Sequence, residues 1–270
     1  MVEELAHLGL IDDQEIELDL AALEIASLDH PGLRLDPYLD QLDAIAQRVD
    51  EAGHSALSAL SKANILASVI GDDEGFAGDR ENYDIAANAD MIQVIDRRLG
   101  LPVALSILYV ATARKIGWAA DALNTPGHVL VRIGPEQDPL LVDPFNGGAV
   151  VDTQQLAVLI AGILGEGVPV VPEFIAPMSN RLVLVRLLVN QASRAEGAGQ
   201  VQRALTLYDR ITTIAPSHAH GWWERARLEL NLGRPGDART SLAAVLEVTR
   251  DPEARLHISA ALDGLAGYRA

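Results

Sequence analysis

The chain has 270 residues, 49% of them hydrophobic, and its 38 Asp and Glu outweigh 21 Lys and Arg to give a formal charge of −17. That apolar share supports a sizeable core in one large domain or two ordinary ones. There is no cysteine, which excludes disulfides, thiolate metal sites and a cysteine nucleophile.

The acid is concentrated at the front: residues 1–100 hold 22 acidic and 6 basic side chains, and the remainder holds 16 and 15. Such a field repels phosphate backbones and attracts a basic protein partner, so no direct nucleic-acid contact is expected; the same acids also keep a surface hydrated. The opening "MVEELAHLGLIDDQEIELDL" carries acids where a secretory signal needs a basic start. The most apolar runs, 101–113 and 156–164, are too short to cross a bilayer. A soluble cytoplasmic protein without a membrane segment is the expectation.

In chain order, "QEIELDLAALEIASLD" (14–29) spaces Ile16, Leu20, Leu23 and Ile25 at helical intervals. "LDPYLDQLDAIAQRVDE" repeats the pattern, with Asp36 as N-cap and Pro37 as first helical residue. A third helix is read over "SALSALSKANILASVIG". Residues 71–90, rich in acid and glycine and without periodicity, read as a surface loop. A short helix over 91–98 follows, then a helix over 102–116 that opens on Pro102 and ends near Gly117.

"HVLVRI" and "LLVD", separated by "GPEQDP", read as a β-hairpin. With Ile133 opposite Leu140, opposed residues sum to 273, and His128 and Asp143 fall diagonally on one face. Another helix spans 153–164, and the prolines of "GEGVPVVPEFIAP" mark the domain boundary, giving 1–172 and 178–270. Beyond it Ala192, Gly199, Ala204 and Tyr208 recur 34 residues later as Ala226, Gly233, Ala238 and Leu242. Small residues at fixed places let paired helices approach closely, the mechanism of a tetratricopeptide unit. A capping helix is read over 252–266. Trp222 and Trp223 open the second unit; one fills the large-aromatic position of the repeat, and the other suits core or interdomain packing, with both kept as candidate partner-binding residues.

His128 and Asp143 form half of a nucleophile, base and orienter set, since a carboxylate beside an imidazole selects its tautomer and stabilises its charge. They equally suit a structural hydrogen bond. With Pro102, Ser106 and Asn146 they define a candidate cleft. No spacing among them and the acids of 72–84 resembles an EF-hand or zinc signature, so neither metal nor cofactor is expected.

"RRLGLPVALSILYVATARKIG", "PGHVLVRI", "LLVDPFNGG", "LDPYLDQLDAIAQRV" and the C-terminal repeats together resemble the SirB-type bacterial transglutaminase-like proteins with tetratricopeptide repeats. The resemblance covers nearly the whole chain. It implies an α+β fold: a mainly helical, transglutaminase-like (papain-like) core with a small antiparallel sheet, followed by an α-helical tetratricopeptide-like module. In active members of the wider superfamily it implies a Cys at the start of the helix, then His and Asp on successive strands. Arg114 and Gly117 match the helix end, which puts the Cys position at Pro102; His128 and Asp143 match the other two. Pro102 offers neither an attacking atom nor an N–H. Ser106, one turn on, is expected to bond the carbonyl four residues back, and Thr112 lies deeper still. The expected function is that of a catalytically silent, regulatory or protein-interaction component with a protein or peptide partner. The alternative is a cysteine-independent peptidase or amide hydrolase using His128 and Asp143 with water or Ser106.

Overall fold

The computed structural model describes residues 3–135, 137 and 139–267, which form two compact units that divide before residue 13 and after residue 184, the first 12 residues going with the C-terminal part of the chain. The helices run α1 (Ala6–Leu10), α2 (Leu18–Ser27), α3 (Asp36–Gly53), α4 (Ala59–Leu66), α5 (Met91–Arg97), α6 (Pro102–Lys115), α7 (Thr153–Leu164), α8 (Asn180–Gly197), α9 (Val201–Ile214), α10 (Ala219–Asn231), α11 (Pro235–Val248) and α12 (Pro252–Gly264). The strands are short: β1 (Ala77–Gly78), β2 (Leu99–Gly100), β3 (Ala120–Ala122), β4 (Val131–Ile133), β5 (Leu140–Asp143) and β6 (Ala149–Val150). The fold is thus α+β and mostly helical. Among the described residues no helix is long and apolar enough to cross a membrane.

The unit of residues 13–184 is organised around α6, in which every residue from Pro102 to Ala113 is buried. A helix apolar on all sides cannot lie on a surface, so the rest of the unit wraps it. Helices α2 and α3 cover part of it and β3 another part. In α3, Leu42, Ile45, Ala46 and Val49 turn inward at helical spacing. Asp36 is already helical and Leu35 is the cap, so Pro37 stands one residue further in than the sequence indicated. Gly117 ends α6 with φ 77°, and the Trp118 amide returns to the Ala113 carbonyl at 2.9 Å.

A four-stranded antiparallel sheet in the order β3-β4-β5-β6 lies against α6. Ile133 pairs with Leu140 and Val131 with Val142, the register read from the alternation of the hairpin. Strands β3 and β6 had no sequence reading, because runs of two or three residues carry too little periodicity. The stretch 71–90, expected as a surface loop, is partly buried. Ala67–Asp73 continues α4 as a π-helical turn, β1 pairs in parallel with β2, and Phe76, Asp79, Asn88 and Ala89 are inside.

The proline-rich segment 165–177, read as the domain boundary, is stitched into the sheet at its C-terminal end. The Met178 amide donates to Ala122 and the Asn124 amide to Ala176, while Phe174 and Ile175 pack on Leu123, Leu130, Leu156 and Ile160. Prolines stop a helix there without stopping the packing, and the chain divides between residues 184 and 185, inside α8.

In the other unit α9, α10, α11 and α12 pack successively, and α1 packs on α9. Residues 34 apart hold equivalent places: Gly199 and Gly233 both turn the chain with φ near 70°, and Ala192, Ala226, Ala204 and Ala238 are all buried between helices. Glu229 is buried, accepting from Ser241 at 2.7 Å and from Arg225 at 3.0 Å. At the start of α10 the His218 Nδ1 accepts the Gly221 amide at 3.1 Å. Burial, then the neighbouring His220, lowers the His218 pKa from its ordinary 6.5. The unfolded chain therefore binds a proton more readily, and this contribution to stability, full above pH 6.5, is lost as pH falls below it. Thermal unfolding from pH 7.5 to 5.5 should show a fall in Tm that His218→Asn, which keeps a capping acceptor but does not titrate, makes shallower.

Candidate functional site

The site assembles where the turn before β4 meets the end of β5. The His128 amide bonds the Thr125 carbonyl at 3.2 Å, and Gly127, with φ 62°, swings the chain into β4. The register of the hairpin then brings His128 Nε2 to 2.9 Å from Asp143 Oδ1. A carboxylate only accepts, so Nε2 carries the hydrogen.

Asp143 is held from all sides. Its Oδ1 also accepts the Phe145 and Asn146 amides, at 3.0 and 3.3 Å, and its Oδ2 accepts the Asn146 side-chain amide at 2.5 Å. The carboxylate is only 3% exposed, a burial that this many donors make tolerable. The Asn146 oxygen in turn accepts from Arg80. A continuous chain of hydrogen bonds thus runs from His128 through Asp143 and Asn146 to an exposed guanidinium.

Phe145 stands edge-on to His128, ring centres 6.0 Å apart, and Tyr83 stands edge-on to Phe145 at 5.7 Å. Beneath the turn of 143–148 lies the Tyr109 hydroxyl, which is buried and, among the described residues, has no hydrogen-bond partner. Burial, with Asp72 and Asp143 nearby, pushes its pKa far upward and keeps it neutral. An alanine Cβ at Gly148 would lie 2.7 Å from the Ala67 Cβ and 2.8 Å from that hydroxyl. The π-helical turn, α6 and the loop after β5 therefore touch at a point where only glycine fits.

Pro102 is in the first turn of α6, buried, after the extended Leu101. Ser106 does not bond back along its own helix. Its hydroxyl donates across to the Val129 carbonyl at 3.2 Å, so it ties α6 to the residue after His128. Thr112 is buried two turns further on. Neither hydroxyl is presented at the helix end. Trp222 packs into the core of its unit and donates to the Pro216 carbonyl at 2.8 Å, whereas Trp223 is 41% exposed.

Sequence reasoning had singled out neither Arg80 nor the frame that carries it. Asp79 is buried, accepting from Arg97 at 2.8 Å and from the Asn82 amide at 2.8 Å. Arg97 also donates to Asn88, whose side-chain amide bonds the Asn82 carbonyl and whose backbone carbonyl accepts from Leu101. One network thus fixes both the Arg80 loop and the entry to α6. The Asn146 amide lies 66 residues from Arg80, so no local pattern could have joined them. Among the described residues no group of three or more His, Asp or Glu could hold a metal ion.

Residues 36–189 match the transglutaminase-like superfamily. A UPF0162 protein of Xylella fastidiosa (strain 9a5c) is 30% identical over 92% of this chain and 91% of its own length. A UPF0162 protein of Pseudomonas aeruginosa is 26% identical over 91% of this chain and 90% of its own. F-box only protein 21 of Homo sapiens is 29% identical over 61% of this chain and 27% of its own length.

Proposed function

We propose, taking as premise that this chain belongs to the transglutaminase-like superfamily and to the UPF0162 proteins, that it is a non-catalytic, cytoplasmic interaction or regulatory component of the SirB type. In this reading the cleft beside His128 and Asp143 binds a peptide without turning it over. The helical repeats at 34-residue spacing act as a tetratricopeptide-like module that engages a protein partner, with Trp223 on its surface.

The observation that carries the reading is Pro102. A helix N-terminus lowers a thiol's pKa and offers amide donors to an oxyanion, so the first turn of α6 is where a nucleophile would be activated. There the chain has a buried proline, and the sequence has no cysteine to take its place. Ser106 is engaged with the Val129 carbonyl and lacks a base positioned on its hydroxyl.

A second reading keeps the His128–Asp143 pair as a general base acting on water, which is worth on the order of 10² to 10⁴ in rate without a covalent step. Its support is the fully hydrogen-bonded carboxylate and the fixed tautomer. Hydrolysis and transamidation across a broad peptide panel separate the two. The non-catalytic reading expects product formation by the wild type no faster than by His128→Ala. Turnover that disappears in His128→Ala and survives in Ser106→Ala would establish the water mechanism instead.

A further inference from the structure

The unit of residues 13–184 holds 26 acidic and 10 basic residues, so carboxylates far outnumber its cations. Arg48, Arg97, Arg98, Arg114, Lys115 and Arg132 all reach one. Arg80 does not. Among the described residues its guanidinium has one partner, the neutral side-chain oxygen of Asn146. It is exposed, at the edge of the candidate cleft, on a loop anchored by the buried Asp79 next to it.

A guanidinium has five donors in a planar fork suited to a carboxylate, and one neutral acceptor leaves most of them unused. Asn146 cannot neutralise it, and Asp143, the nearest carboxylate along the hydrogen-bond chain, is taken up by His128, Asn146 and two backbone amides. Phe145, the residue before Asn146, and Tyr83, edge-on against it, add aromatic surface to this part of the site. The surrounding acid opposes any polyanion, because many charges feel the field of the whole unit, whereas a single carboxylate gains most from the adjacent fork.

Resting on the reading of the cleft as a peptide site, we propose that Arg80 recognises one carboxylate of the bound peptide, with Asn146 orienting the guanidinium and Phe145 and Tyr83 packing against an apolar neighbour of that carboxylate. The carboxylate is either the peptide's C-terminus or an acidic side chain; both present the same chemistry to the fork.

The test uses the full chain and three acetyl-capped probes: Ala-Ala-Phe with a free C-terminus, the same peptide as its amide, and Ala-Glu-Phe amide. NMR titration at low salt follows the Asn146 side-chain amide and the His128 imidazole. Charge-assisted bonds predict that the amide binds at least about tenfold more weakly than one of the two acids; which acid wins identifies the source. Arg80→Gln should erase the preference, Arg80→Lys should keep part of it, and added salt should shrink it. Equal affinity for all three probes, or a preference that survives Arg80→Gln, overturns the proposal and leaves the peptide cleft standing. If none of the probes shifts either signal at millimolar concentration, the peptide cleft falls with it.

Discussion

Gly148→Ala should destabilise the protein by about 2–5 kcal/mol and separate His128 from Asp143. The residue has φ 75°, a conformation costing a non-glycine residue about 1–2 kcal/mol. The new methyl would also sit 2.7 Å from the Ala67 Cβ and 2.8 Å from the Tyr109 hydroxyl, and overpacking a filled space adds about 1–3 kcal/mol. Gly147 is the matched control: its φ is 70°, and a Cβ there meets nothing within 4 Å. Gly147→Ala should therefore carry the conformational cost alone. Denaturant unfolding of the two variants measures the difference, and equal losses would show that the contact beneath Gly148 gives way freely.

The second large effect is expected at Asp79, whose side chain is 2% exposed and joins Arg97 to the Asn82 amide. Asp79→Ala leaves a partly buried guanidinium without its carboxylate, and breaking such a pair costs about 3–5 kcal/mol, less here because Arg97 is one-quarter exposed. The loss should be about 2–4 kcal/mol by that reasoning. The Asn82 amide, with Arg97 and Asn88 beside it, outweighs the opposing effect of burial and holds the Asp79 carboxyl below its ordinary 3.8. Its contribution is therefore present above that pH and lost as pH falls through the lowered value, so wild type and Asp79→Ala should converge in strong acid. Arg80 is the next residue, and loosening its loop should weaken the probe peptides that carry a carboxylate. Thermal melts of both proteins from pH 7 down into strong acid check the first claim, and the NMR titration checks the second.

Where the sequence was informative, it was so through local pattern. Helix α7 spans Thr153–Leu164, the bounds read from the sequence, and the hairpin keeps the pairing of Ile133 with Leu140. The 34-residue recurrence of Ala192 and Ala204 as Ala226 and Ala238 became a recurrence of buried positions. What sequence did not reveal depends on partners far along the chain. Ser106 was expected to bond within its helix, but a carbonyl from the next segment, 23 residues on, competes successfully for the hydroxyl. The acids of 71–90 looked uniformly solvated, yet Asp79 is buried because Arg97, 18 residues away, meets it. Arg80 was invisible as a site residue for the same reason. The His128–Asp143 pair was legible because the register of β4 on β5 carries back to His128, three residues before β4, and brings it within hydrogen-bond reach of Asp143.

The central claim is that this cleft binds and does not transform. Immobilised full-length protein incubated with a diverse peptide library, with mass spectrometry of what it retains, tests this most directly. The account expects retained peptides to be recovered at unchanged mass, and His128→Ala or Arg80→Gln to alter which peptides are kept. Recovery of cleaved, deamidated or cross-linked peptides from the wild type, absent with His128→Ala, would contradict it.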